Sequence, residues 1–230
     1  MAVAIPSSLN PPAWESRLRN MQKDYPVYLE KNDLKGFFDA HKTSFGTNIK
    51  DYLPKGQNSP DFRGPDADKL KAKLSELAAS IPKETQDEID FLCKEMIKDH
   101  DDISQDAQAV SDNLQAQGAD QQTAAQKLES ERVRVLKLST DIINKTFNGV
   151  LSTIKELPEY QANAAVDTWV LISEGFMTFW DKVMGDIGSV IKAVIEWLSS
   201  VWETVTGCWA SVKAVFVNAW NWFQNVISGF

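Results

Sequence analysis

Two histidines, His41 and His100, are the only imidazoles available for acid–base or metal chemistry. A side-chain metal site needs three or four ligands converging on one point. The densest cluster is Asp99-His100-Asp101-Asp102. Successive residues on a helix point in different directions, so these groups fan outward and read as a solvated charge run. No H-E-x-x-H, G-x-S-x-G, phosphate-loop or G-x-G-x-x-G pattern occurs. Carboxylates abound, but none stands beside other catalytic residue types in a readable pattern. The expectation is a protein that is not an enzyme, with no catalytic residue, metal, cofactor or small-molecule substrate. Cys93 and Cys208 form no C-x-x-C and are expected to be buried free thiols.

Tryptophan supplies a different chemistry: its ring is apolar and its N–H wants a partner, which suits a membrane interface. Seven of the eight tryptophans lie between residues 169 and 222. They belong to one apolar stripe: Trp169, Phe176, Trp180, Val183, Ile187, Ile191, Val194, Leu198, Trp202, Val205, Trp209, Val212, Phe216, Trp220, Phe223, Ile227 and Phe230, with Ser173 the one miss. The stripe covers 61 residues in 17 steps, the α-helical period. Trp197 and Trp222 fall to one side of its centre. The opposite face is small and weakly polar, with Glu174, Thr178, Gly185, Ser189, Gly207, Asn218, Asn221 and Asn225 among its members. Residues 161–230 hold three basic and six acidic residues, and residues 214–230 hold no charge. Gly185, Gly188 and Gly207 are expected to cut the segment into pieces of about 20 residues, each about 30 Å long. The candidate membrane-interacting residues are Trp169, Phe176, Trp180, Ile187, Ile191, Leu198, Trp202, Trp209, Phe216, Trp220 and Phe223. In water their rings are expected to pack against the rest of the chain, with the Ser/Asn/Glu face outward.

The remainder is ordinary. Across 230 residues, 43% are apolar and 24% charged, which excludes wholesale disorder. The net charge of −8 argues against general nucleic-acid binding, since phosphate neutralisation needs an excess of Lys and Arg. The first ten residues lack a basic n-region and their apolar run stops at Pro6, so no secretory signal is read there. No uncharged apolar run of 18 residues suggests an ordinary transmembrane helix. The expected locations are the cytosol, or release without a classical signal, and a target-cell membrane when active.

The elements that must position the stripe are helical. Asn10-Pro11-Pro12 predicts a helix start with Asn10 as cap, running to Tyr25 and stopping at Pro26. A second stretch, 27–52, carries Leu34, Phe37, Phe38, Phe45, Ile49 and Leu53, weakened by Gly36 and Gly46 and so able to form two pieces. Residues 54–65 read as a loop. Asp66 or Asp68 caps a helix with Leu70, Leu74, Leu77 and Ile81 inside. Thr85-x-x-Glu88 has the capping-box pattern. Ile89, Leu92, Met96, Ile103, Ala107, Val110 and Leu114 then keep the helical period. Gly118 and Asp120 offer a hairpin turn. Leu128, Val135, Ile142, Thr146, Val150 and Leu157 continue the period until Pro158. The expected fold is all-α: an elongated bundle with long antiparallel helices. A charged body, 1–160, includes a helical hairpin over 82–157. The C-terminal amphipathic segment, 161–230, packs on it as one domain.

Long charged helices in a hairpin plus a clustered amphipathic apolar segment resemble the α-helical pore-forming toxins, the haemolysin E type and its insecticidal relatives. In that group all-helical monomers hide an apolar element, release it at a membrane and assemble into a ring. The element is often a mid-chain tongue there, whereas here it is C-terminal. The resemblance implies a membrane-permeabilising function, a lipid-membrane partner and a homo-oligomer on membranes. Other readings are a non-lytic helical interaction protein and an exchangeable lipid-binding protein that uses the Trp-rich face.

Overall fold

The computed structural model describes residues 11–31, 33–53, 64–197 and 200–227. Among them seven α-helices follow one another: α1 (Ala13–Glu30), α2 (Leu34–Ala40), α3 (Ala67–Ala78), α4 (Lys83–Ala116), α5 (Gln121–Ile154), α6 (Glu159–Glu196) and α7 (Val201–Ile227), with a 3-10 turn at Ile49–Tyr52 between α2 and α3. No strand occurs among the described residues, and the fold is all-α.

The predicted hairpin is α4 and α5, 34 residues each and so about 50 Å long. Gly118 takes the left-handed conformation at φ 61° that ends α4. Asp120 then caps α5, its carboxylate accepting the Thr123 N–H at 3.0 Å. Cross-pairs run in opposite directions along the two helices: Asp99 meets Lys145 at 3.2 Å, and Asp106 meets Arg134 at 3.6 Å. α6 returns beside α5, with Trp169 edge-on to Phe147 near one end and Gln121 bonded to the Ile195 carbonyl at the other. α7 runs back along α6, with Ser211 on Asp186 at 2.8 Å and Trp222 against Gly175. The four long helices therefore run up, down, up and down. α1 packs on α5 and α6, α2 on α6, and α3 on α6 and α7, so the shorter helices gather around one half of the bundle. One continuous apolar core joins all of them.

Several boundaries differ from the sequence reading. Asn10 lies outside the described residues, and α1 starts after Pro12 without a side-chain cap. Pro26 does not end α1, which runs on to Glu30. A proline costs an interior hydrogen bond, but Tyr25 and Tyr28 straddle it and both pack edge-on against Phe37. The stretch 27–52 is broken at 41–48, where Gly46 sits at φ 73°. Phe45 is 59% exposed rather than inside, with the Lys73 ammonium 4.5 Å above its ring. Of the predicted loop, 54–63 lies outside the described residues. Asp66 caps α3 as expected, through the Lys69 N–H. Thr85 is not a cap: α4 begins one turn earlier, after Pro82, and Thr85 is buried in its first turn. Gly185, Gly188 and Gly207 do not divide the C-terminal segment. α6 continues for 38 residues and breaks only after Glu196, where Trp197 adopts φ 43°. An interior glycine costs only about 1 kcal/mol, less than burying one large apolar side chain recovers.

Candidate functional site

The α6–α7 hairpin carries the Trp-rich stripe. From Ala164 to Trp180 every residue of α6 is buried, because α1, α2, α3, α4, α5 and α7 all pack against that half. Beyond Asp181 the helix becomes one-sided: Val183, Ile187, Val190, Ile191 and Val194 face inward, while Gly185, Ser189, Lys192 and Glu196 are exposed. α7 is one-sided throughout. Val205, Trp209, Val212, Phe216, Ala219, Trp222, Phe223 and Val226 are buried.

Of the predicted membrane-interacting residues, Trp169, Phe176, Trp180, Ile187, Ile191, Trp209, Phe216 and Phe223 are buried in the shared core. Trp202 is half-buried, edge-on to Trp197 at 6.1 Å. Trp220 is 40% exposed. Leu198 and Phe230 lie outside the described residues. The stripe is thus rotated on α7 relative to its expected centre: Trp222, assigned off-centre, is inside, and Trp220, assigned to the centre, is at the rim. Trp222 fills the gap over Gly175 and donates its indole N–H to the Pro65 carbonyl at 2.9 Å. The outward face of α7 from residue 214 on consists of Ala214, Val217, Trp220, Asn221, Gln224 and Asn225. None of these is charged. On α6, Lys182 pairs with Asp186, and Lys192 with Glu196 at 3.7 Å.

The expectation that the Ser/Asn/Glu side faces water fails for the enclosed half of α6. Ser173, Glu174 and Thr178 are buried, as is Asp167. A helix surrounded on all sides has no solvent face to give them. Asp167 accepts the Ser44 N–H at 2.9 Å and the Ser44 hydroxyl, and is ion-paired with the Arg17 guanidinium at 2.6 Å. Glu174 accepts only the Ile49 N–H, at 3.4 Å, and its Oε1 has no protein partner among the described residues. Burial holds its carboxyl well above the ordinary carboxylate range, with the Ile49 N–H and the Lys50 charge opposing. Half-buried Asp181 is raised by the same cause. Asp167, Glu174 and Asp181 recur every seven residues, on one face of α6. That spacing, in a segment so poor in charge, is a sequence signal that the stripe reading overlooked. The indole N–H groups of Trp169, Trp180 and Trp209 are also buried without a protein acceptor among the described residues.

The charge run around residue 100 is only partly solvated. Asp99, Asp101 and Asp102 do fan outward, but His100 is fully buried. Its Nδ1 lies 2.7 Å from the Met96 carbonyl, which can only accept, so Nδ1 carries the proton. Nε2 then accepts from the Ser139 hydroxyl at 3.0 Å. Phe176 and Trp180 stand edge-on to the ring, and burial lowers its pKa to about 4. Among the described residues no group of His, Cys, Asp and Glu is placed to hold a metal ion. Cys93 is a buried free thiol and Cys208 a half-buried one. No described helix is long and apolar enough to cross a membrane. Comparison with protein-family models, with curated proteins and with solved structures finds no match for this chain.

Proposed function

We propose that this protein permeabilises membranes as an α-helical pore former, a bundle that turns its α6–α7 hairpin toward lipid and assembles with further copies of itself. The observation that carries this reading is the charge distribution on α7. From residue 214 on its inward face is Trp, Phe and Val and its outward face is uncharged, so that part of the arm can leave water without burying an unpaired ion. Three buried indole N–H groups without acceptors among the described residues would regain partners at a lipid–water interface. Self-assembly follows from the remaining polar positions. Ser189, Lys192, Glu203 and Lys213 are unsuited to hydrocarbon in a single copy, whereas several hairpins side by side can turn such faces toward a shared aqueous centre while each helix keeps its own backbone bonds. In this reading the protein works in the manner of the pore-forming toxins it resembles.

Dye-loaded vesicles provide the test. The full chain is expected to release dye from phosphatidylcholine vesicles at micromolar concentration, and Trp220→Glu, which places a charge on the outer rim of α7, is expected to suppress release while leaving the folded spectrum unchanged. Absence of release over neutral and anionic lipid compositions would remove the proposal.

A further inference from the structure

Residues 41–53 cross the enclosed half of α6 with one 3-10 turn as their only helical structure. Ile49 is their single fully buried apolar side chain. Polar contacts hold the rest. Within the segment, Thr43 and Thr47 bond each other through backbone and hydroxyl groups, and Asn48 and Asp51 close a capping box. At its start the buried His41 ring faces Asp24 of α1 at 3.3 Å. Across to α6, Ser44 gives both its N–H and its hydroxyl to Asp167, and Ile49 gives its N–H to Glu174. Both acids are fully buried and lie two turns apart on one face of α6. Stability alone does not call for this arrangement. Buried ionisable groups cost desolvation, and apolar residues of similar volume commonly serve as well or better. Glu174 satisfies only one oxygen, which makes the second contact weaker still.

We propose that residues 41–53 are a latch over α6, with Asp167 and Glu174 as its two catches, and that lifting the latch is the step that frees the α6–α7 hairpin. This rests on the membrane-permeabilising reading. The physical basis is the difference between what holds the strap and what holds the bundle. Freeing the strap breaks a few hydrogen bonds and exposes one large apolar side chain. Freeing α6 directly exposes Trp169, Phe176, Phe179 and Trp180 together. Local openings draw on the regions with the fewest buried apolar contacts, so the strap opens first and α6 follows.

Two measurements on the full chain test the latch, one of them without lipid. Ser44→Ala with Asp167→Asn should speed hydrogen exchange at α6 amides 165–180 in water by about ten-fold. Ser44→Ala alone keeps the Arg17–Asp167 pair and should show a smaller acceleration at the same amides. In a Cys208→Ser background, Ser44→Cys and Asp167→Cys bridged by a short bis-thiosulfonate should release dye from phosphatidylcholine vesicles at least about ten-fold more slowly than the same protein after reduction. Unchanged exchange in both weakened variants, or measurable release that is equal for bridged and reduced protein, would overturn the latch. If exchange responds while no variant and no wild-type sample releases dye, the latch on α6 stands and the permeabilising reading falls.

Discussion

Glu174 contributes to the pH response of the core. Its pKa is raised in the folded protein, so the native state binds this proton more tightly than the unfolded chain does. Its contribution to stability is complete below the ordinary carboxylate pKa and declines as pH rises toward its own raised value. Glu174→Gln cannot ionise and should lose that decline. The difference in urea midpoint between Glu174→Gln and wild type should therefore grow in favour of the variant as pH rises from 5 to 9, and a constant difference would contradict the assignment. His100 acts in the opposite direction. Its folded pKa is lowered to about 4 from 6.5, so stability falls as the unfolded chain takes up a proton between those values. His100 is present in both wild type and variant, so the subtraction isolates Glu174. The seven-residue spacing places Asp167, Glu174 and Asp181 on one face of α6, but spacing does not say that this face is enclosed. The acids of α6 were visible as residues, but only packing on every side of the helix makes Asp167 and Glu174 interior.

The α6–α7 hairpin depends on one close approach. A Cβ at Gly175 would lie 2.2 Å from the Trp222 ring, whose N–H is fixed on Pro65. Gly175→Ala should push the ring out of its seat and destabilise the protein by about 1–3 kcal/mol, despite the better helix propensity of alanine. In a Trp222→Leu background the same substitution should cost much less, and the double-mutant cycle in urea reads the coupling directly. Equal costs in both backgrounds would show that the ring does not constrain position 175. At this scale the helical period was an effective guide: Leu70, Leu74 and Leu77, then Ile89, Met96, Ile103, Ala107 and Leu114 of α4, Leu128, Val135, Ile142 and Val150 of α5, and the Gly118–Asp120 turn were legible, whereas His100 and Phe147 were not. Helix ends were less so. Pro26, Thr85 and the glycines of α6 carry local signals that packing overrode, because each local penalty is about 1–3 kcal/mol and a buried aromatic offsets it. The stripe on α7 was legible in period and, at Val205, Trp209, Val212, Phe216 and Phe223, in phase, but not at Trp220 and Trp222. α3 and the chain at Pro65 approach α7 from the Trp222 side, and nothing in the spacing of apolar residues announces that neighbour.

The whole molecule turns on α6 being its central helix. Every other α-helix in the described chain packs against it. It alone contributes Trp169, Phe176, Phe179 and Trp180 to the fully buried set. At about 1.5–3 kcal/mol for each large apolar side chain, these four match or exceed a substantial part of the roughly 5–15 kcal/mol by which a domain is stable. Partners left behind, such as Phe147, which stands edge-on to Trp169, and His100, which stands edge-on to Phe176 and Trp180, would be uncovered as well. A chain ending at Pro158 should therefore fail to fold as a smaller bundle. It should melt without a cooperative transition by circular dichroism and bind a hydrophobic dye before heating. This outcome bears on how a membrane-active state could form. If α1–α5 cannot stand alone, the hairpin cannot swing out from an intact body, and apolar surface uncovered on α4 and α5 must be covered by lipid or by neighbouring copies as α6 leaves. Release and assembly would then be coupled in one rearrangement. A sharp, reversible transition for residues 1–158 would lead to the other mechanism: a self-sufficient body with a detachable hairpin, in which assembly can follow insertion rather than accompany it.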